Sequence, residues 1–145
     1  MKLNYKIIFH FLGLLILFNG GFMLLSALVS LIYKDGVTLR LFLAGITTLL
    51  AGGKVMLATR NPEKEMNKRE GYIVVTFGWI IMTLSGTLPY IFTDSIPSFT
   101  NAFFETMSGY TTTGASILND IEAVPKGVLF WRSLTHWIGG MGIIV

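Results

Sequence analysis

The run Thr111-Thr112-Thr113-Gly114-Ala115-Ser116 combines residue types that suit one kind of chemistry, the ligation of a bare cation by oxygen. Threonine sets a hydroxyl beside its backbone carbonyl at little extra volume. Glycine permits the positive φ angles that aim successive carbonyls to one side. Carbonyls that find no internal partner can then replace the hydration shell of an ion. As a bare string, threonines followed by glycine also describe an ordinary turn, so the surroundings decide what the run can do.

Those surroundings predict a short helix that delivers the run to a particular depth. Ser95 or Ser98 can cap it, Pro97 suits a first turn, Phe99, Ala102, Phe103 and Thr106 fall at helical spacing, and Gly109 is a natural stop. From Ser98 to Ser108 such a helix reaches about 16 Å, roughly half of a membrane's hydrocarbon thickness. A half-length helix of this kind enters a bilayer and turns back. Its C-terminal end carries partial negative charge toward the bilayer middle, where it favours a cation. Irregular backbone at that depth is tolerated only if it is buried in protein or lines a water-filled path.

A membrane is the solvent that the composition asks for. Of 145 residues, 52% are hydrophobic and 13% charged, against about 25% charged in ordinary soluble domains. This excludes a disordered chain and a soluble nucleic-acid-binding one. With no cysteine there is no disulfide, thiolate metal site or cysteine nucleophile. Ile7 to Tyr33 is uncharged and reaches about 40 Å as a helix, too long for the h-region of a signal peptide. Leu41 to Ala58 forms a second span, with Lys54 near enough to its end to snorkel. Gly71 to Thr93 forms a third, with Pro89 near its far end. A fourth begins near Lys126 and is still apolar at Val145.

If the spans alternate, Lys2, Lys6, Arg60, Lys64, Lys68 and Arg69 share one side and Lys34, Arg40 and Lys126 the other. The excess of cations predicts a cytoplasmic N-terminus. Asp94, Glu105, Asp120 and Glu122 then belong to the outward stretch, either as an acidic vestibule that gathers cations or as an ordinary solvated loop. The expected fold is an all-α polytopic membrane protein. Two leading spans occupy residues 1–58 and a cytoplasmic connector 59–70. One membrane helix, pore helix, filter and membrane helix unit occupies 71–145, comprising a span over 71–93, a pore helix over 98–108, a filter over 111–116 and a last helix from about 126 that ends in mid-run.

The string from Phe104 through Glu105, Gly109, Thr111, Thr112, Thr113 and Gly114 to Ser116, followed by Phe130-Trp131-Arg132-Ser133 and Trp137-Ile138-Gly139-Gly140-Met141-Gly142, resembles the TrkH/KtrB family of bacterial potassium uptake proteins. The likeness is to the first pore repeat of the TrkH branch and extends over nearly the whole chain. It implies a bacterial plasma-membrane subunit with four nonidentical repeats, each giving one filter strand, so that this chain supplies one strand of four. Carried onto this sequence, it places Thr112 and Thr113 as carbonyl ligands of potassium, with Thr111, Gly114 and Ala115 as neighbours. It further implies a homodimer seated on a TrkA- or KtrA-type nucleotide-binding ring. The chain itself has no Gly-rich phosphate loop after a strand. Potassium is the transported substrate in this reading, and no cofactor is expected.

Some residues call for a choice. Glu105 lies toward the C-terminal end of the predicted pore helix, where the dipole disfavours an anion. It should pair with Arg132 of the last span and brace the filter; direct contact with the permeant ion is the alternative. Gly139, Gly140 and Gly142 serve either close helix packing or a bend. His10 and His136 have no metal-ligand spacing. A serine hydrolase built on Ser108 or Ser116 with His136 lacks both the nucleophile context and an acidic orienter. Two other readings stay open: an accessory membrane protein with no transport of its own, and a homotetramer with four copies around one axis.

Overall fold

The computed structural model describes residues 4–60 and 66–144. Lys2 and Lys64, which enter the expected charge asymmetry, lie outside the described residues. Six helices follow in order: α1 (Tyr5–Tyr33), α2 (Thr38–Ala58), α3 (Lys68–Gly86), α4 (Leu88–Phe92), α5 (Phe99–Tyr110) and α6 (Lys126–Ile144). Among the described residues, three stretches are long and apolar enough to cross a membrane: Tyr5–Tyr33, Thr38–Ala58 and Lys68–Phe92.

The first two form a tight hairpin because small residues meet where they cross. A β-carbon on Gly52 would lie 2.9 Å from the Leu17 amide nitrogen and 3.0 Å from the Gly13 carbonyl oxygen. In lipid, where apolar surface alone gives helices little reason to associate, such close backbone approach is what holds them together. Asp35, in the connection between them, ties the hairpin to the last helix. Its carboxylate accepts from Ser30 Oγ and, at 2.8 Å, from the backbone N–H of Gly127 in the first turn of α6. An anion there complements the helix dipole.

The third span starts earlier than the hydropathy pattern predicts and breaks before its end. Glu70 accepts from the backbone N–H of Asn67 at 2.9 Å and of Asn4 at 2.7 Å, so one carboxylate caps the start of α3 and staples it to the start of α1. This draws Lys68, Arg69 and Glu70 out of the expected connector and into the helix. At the far end Pro89 falls in the first turn of a new short helix. The Tyr90 amide donates to Thr87 O instead of continuing the α3 ladder, which frees the Gly86 carbonyl. That carbonyl is taken by Trp131 Nε1 at 3.1 Å. Trp131 and Tyr90 are fully buried beside Met23, Leu41, Ala102 and Val128, in the core that α1, α2, α4, α5 and α6 share. An unpaired carbonyl in such surroundings would cost about 1–3 kcal/mol; the indole accordingly fixes α6 against the α3–α4 break. In sum the fold sets one short helix, α5, between α3 and α6, with the hairpin behind them.

Candidate functional site

The short helix begins after Ser98, whose side chain makes no capping bond, and ends on an unusual residue. Ser98 precedes Phe99 in extended backbone, and the helix runs 12 residues, about 18 Å. Gly109 is not its stop. The Thr112 N–H donates to Gly109 O at 2.9 Å and the Thr113 N–H to Ser108 O at 3.0 Å, while Thr112 adopts φ +54°. This is a Schellman motif, in which the left-handed position after the C-cap is usually glycine. Here it is held by a β-branched residue, a conformation that costs on the order of 1–3 kcal/mol and persists only where neighbours enforce it. Gly109 serves a different purpose: a β-carbon on it would lie 2.2 Å from Thr135 Oγ1 of α6. Its place is set by close helix approach rather than by the turn.

Beyond the turn the chain runs back along α5 in irregular form. Gly114 takes φ +79°, so positive φ at residues 112 and 114 alternates with negative φ at 113 and 115. Such alternation turns successive carbonyls toward one side, whereas uniform extended backbone sends them to opposite sides. Among the described residues, no hydrogen bond reaches the carbonyl oxygens of Thr111, Thr112, Thr113 or Gly114. The next one differs. Ala115 O accepts from Ser108 Oγ at 2.6 Å, which removes it from the set available to a ligand and separates it from its expected neighbours. Thr111 Oγ1 donates to Met107 O at 2.8 Å and lies 2.8 Å from Thr113 Oγ1. Residues 111–116 are exposed, and nothing lies within 4 Å of where a Gly114 β-carbon would be.

A single carboxylate fixes the far end of this segment. Glu105 is 1% exposed, and its Oε1 accepts from Arg132 Nε at 2.7 Å. Its Oε2 accepts from the Ile117 N–H at 3.0 Å, and Ser116 Oγ lies 3.0 Å from both oxygens. The anion is thereby neutralised by α6 and hydrogen-bonded to the returning strand. That resolves the unfavourable placement of a carboxylate in the C-terminal half of a helix. Ser116 and Ile117 escape a sequence reading because they contact Glu105 from 11 and 12 positions away, with no periodic signal. Ser108 and Ser116 each have a partner other than His136, so the drawn nucleophile and base are not brought together.

α6 presses on the start of the segment. A β-carbon on Gly139 would lie 2.0 Å from the Tyr110 carbonyl oxygen and 2.6 Å from its carbon. The same construction on Gly140 meets only Thr112 Cγ2 at 4.0 Å, and on Gly142 only the Trp79 ring at 3.9 Å. α6 continues as one helix through all three. Of the two roles open to these glycines, close packing is the one seen, and it is confined to Gly139.

Comparison with known proteins bears on what such a site is for. The family model described as "TrkH: Cation transport protein" matches residues 38–145. The chain is 40% identical over 145 residues to the Trk system potassium uptake protein TrkH of Salmonella typhimurium, covering 99% of this chain and 30% of that protein. It is 37% identical over 144 residues to TrkH of Escherichia coli K12, with the same coverage. The crystal structure of the potassium transporter TrkH from Vibrio parahaemolyticus superposes with a TM-score of 0.91 at 35% identity, covering 98% of this chain and 31% of that one. The chain thus spans about 30% of the length of the curated relatives it matches.

Proposed function

Since the chain belongs to the TrkH family of cation transport proteins, we propose that it forms the N-terminal part of a multi-pass potassium uptake subunit and supplies one strand of that subunit's ion filter. The observation that carries this reading is the set of four successive backbone carbonyls, Thr111 to Gly114, that receive no hydrogen bond from the described residues and lie in backbone of alternating φ sign. In a membrane interior, unpaired carbonyls are stable only where water or a cation meets them. Thr112 and Thr113 are the central ligands of a dehydrated potassium ion, flanked by Thr111 and Gly114. Ala115 closes the strand through Ser108. Glu105 and Arg132 hold the strand against α5 and α6.

One strand exposed along its length cannot surround an ion, so the remaining strands come from the rest of the assembly. A transporter family also leaves no place for the serine hydrolase. The N-terminus is cytoplasmic in this reading, because Lys2, Lys6, Arg60, Lys64, Lys68 and Arg69 outnumber Lys34, Arg40 and Lys126 on the opposite side. Dimerisation and docking on a TrkA- or KtrA-type ring are properties of the complete subunit.

Two measurements test the proposal. Residues 1–145 expressed alone in a potassium-uptake-deficient bacterium should insert without restoring growth at low potassium. Restored growth would show instead a self-assembling channel. In the complete subunit, Gly114→Val should lower the ratio of potassium to sodium uptake by about tenfold, since forcing a β-branched residue to φ +79° costs roughly 1–2 kcal/mol with no clash involved. An unchanged ratio would sink the filter assignment.

A further inference from the structure

We propose that Asn19, near the middle of α1, is a positioning residue for ion selection, acting on the filter strand through Tyr110; the proposal rests on the filter reading above. Tyr110 is the last residue of α5 and immediately precedes Thr111. Its side chain is fully buried, and its hydroxyl donates to Asn19 Oδ1 at 2.5 Å. Asn19 is itself fully buried, and its Nδ2 donates to Met82 O at 3.1 Å and to Ser85 Oγ at 2.7 Å, both on α3.

The direction of every bond in this relay is determined. Met82 O can only accept, so the amide nitrogen must face it and the amide oxygen must face Tyr110. Ser85 gives its one hydrogen to Ile81 O at 2.9 Å or Met82 O at 3.1 Å, so toward Asn19 it accepts. The amide thus uses both hydrogens and its oxygen, and the phenol has one place to donate. A saturated buried network of this kind resists displacement, because any shift leaves a polar group unpaired among apolar side chains.

Tyr110 is gripped from other sides as well. Its ring lies against Gly86, where a β-carbon would come within 3.1 Å of Cε2, and its carbonyl lies against Gly139. Side chain and backbone are therefore fixed by α1, α3 and α6 together, one residue before the carbonyls that meet the ion. The coordination distances that separate potassium from sodium differ by only a few tenths of an ångström. A phenol released from Asn19 lets Tyr110, and with it Thr111 and Thr112, move by that much. α1 lies outside the α3 to α6 unit that forms the strand, yet it takes part in ion selection through this one amide.

The test measures potassium and sodium uptake, normalised to membrane abundance, for the complete subunit carrying Tyr110→Phe, Asn19→Leu or both. Each single change should lower the potassium to sodium ratio by about tenfold, the size expected when one buried partner is left unsatisfied. The double variant should be no worse than the worse single one. A wild-type ratio in Tyr110→Phe overturns the proposal, as do losses that multiply in the double variant. Asn19→Leu removes a polar anchor and can fail to insert; Tyr110→Phe keeps the ring and decides the matter by itself. Gly114→Val in the same assay separates the two levels of the argument. If it loses the ratio while Tyr110→Phe keeps it, the relay fails and the filter stands; if it too keeps the ratio, the filter assignment fails.

Discussion

Gly139→Ala is expected to abolish potassium uptake by the complete subunit, although it adds one methyl group to a helix and raises helix propensity. The added carbon would sit 2.0 Å from the Tyr110 carbonyl oxygen and 2.9 Å from its Cα. Overpacking in a protein interior commonly costs about 1–3 kcal/mol because flexible side chains give way. Here the opposing atoms are backbone, so relief requires α6 to move off α5 or the base of the proposed filter strand to shift, and either displaces Thr111 and Thr112. Gly140→Ala is the matched control. Its β-carbon meets only Thr112 Cγ2 at ordinary contact distance, and uptake should stay within about twofold while the helix gains about 0.8–1 kcal/mol. Uptake at wild-type level in Gly139→Ala, with wild-type membrane abundance, would contradict the packing geometry described for the site.

The second large effect is expected at the buried ion pair. Glu105→Ala leaves Arg132 without its anion and strips the Ile117 N–H and Ser116 hydroxyl of their acceptor. Arg132→Ala leaves a carboxylate 1% exposed with hydrogen bonds but no countercharge. Breaking a buried pair by removing one partner typically costs about 3–5 kcal/mol, so each single variant should reach the membrane in reduced amount and transport little potassium. The double variant should lose less than the two losses combined, because neither charge is then stranded. Thermal unfolding of the purified protein in detergent, together with uptake, gives the cycle. Strict additivity would show that the two side chains do not act as a pair. Glu105→Gln should fall between, since a neutral acceptor keeps the strand contacts and loses the charge.

Much of the architecture was legible because lipid imposes severe rules. Long uncharged runs must be helices to satisfy their backbone, and α1 and α2 follow the hydropathy closely. The short helix was legible from Ser98, Pro97 and the spacing of Phe99, Ala102 and Phe103. Its end was not. Gly109 resembles a stop, but its lack of a β-carbon serves contact with Thr135, and the chain turns at Thr112 instead. A propensity argument places glycine at a left-handed position; here threonine takes it, in a turn closed by the Thr112 and Thr113 amides on Gly109 O and Ser108 O. The break after Gly86 was hidden for a similar reason. Pro89 announces a lost donor, but the carbonyl left open is Gly86 O, because the Tyr90 amide turns to Thr87 O, and its new donor, Trp131 Nε1, comes from 45 positions away.

By itself, then, the amino-acid sequence determined a helical membrane protein with one half-length helix feeding a threonine and glycine segment, and it carried enough of the TrkH pattern to identify the family. Local rules suffice for that, because hydropathy and capping act within a few turns of chain. Only the tertiary structure decided which carbonyls of that segment are left without a partner among the described residues and what holds them in place. Ser108 takes Ala115 out of the set, Glu105 clamps Ser116 and Ile117, Gly139 admits the Tyr110 backbone, and Asn19 reaches Tyr110 from 91 positions away. A backbone oxygen is available to an ion only after every neighbouring donor has been assigned; here the donor Ser108 lies on α5, and the groups that hold the strand around it, Glu105, Gly139 and Asn19, lie on α5, α6 and α1.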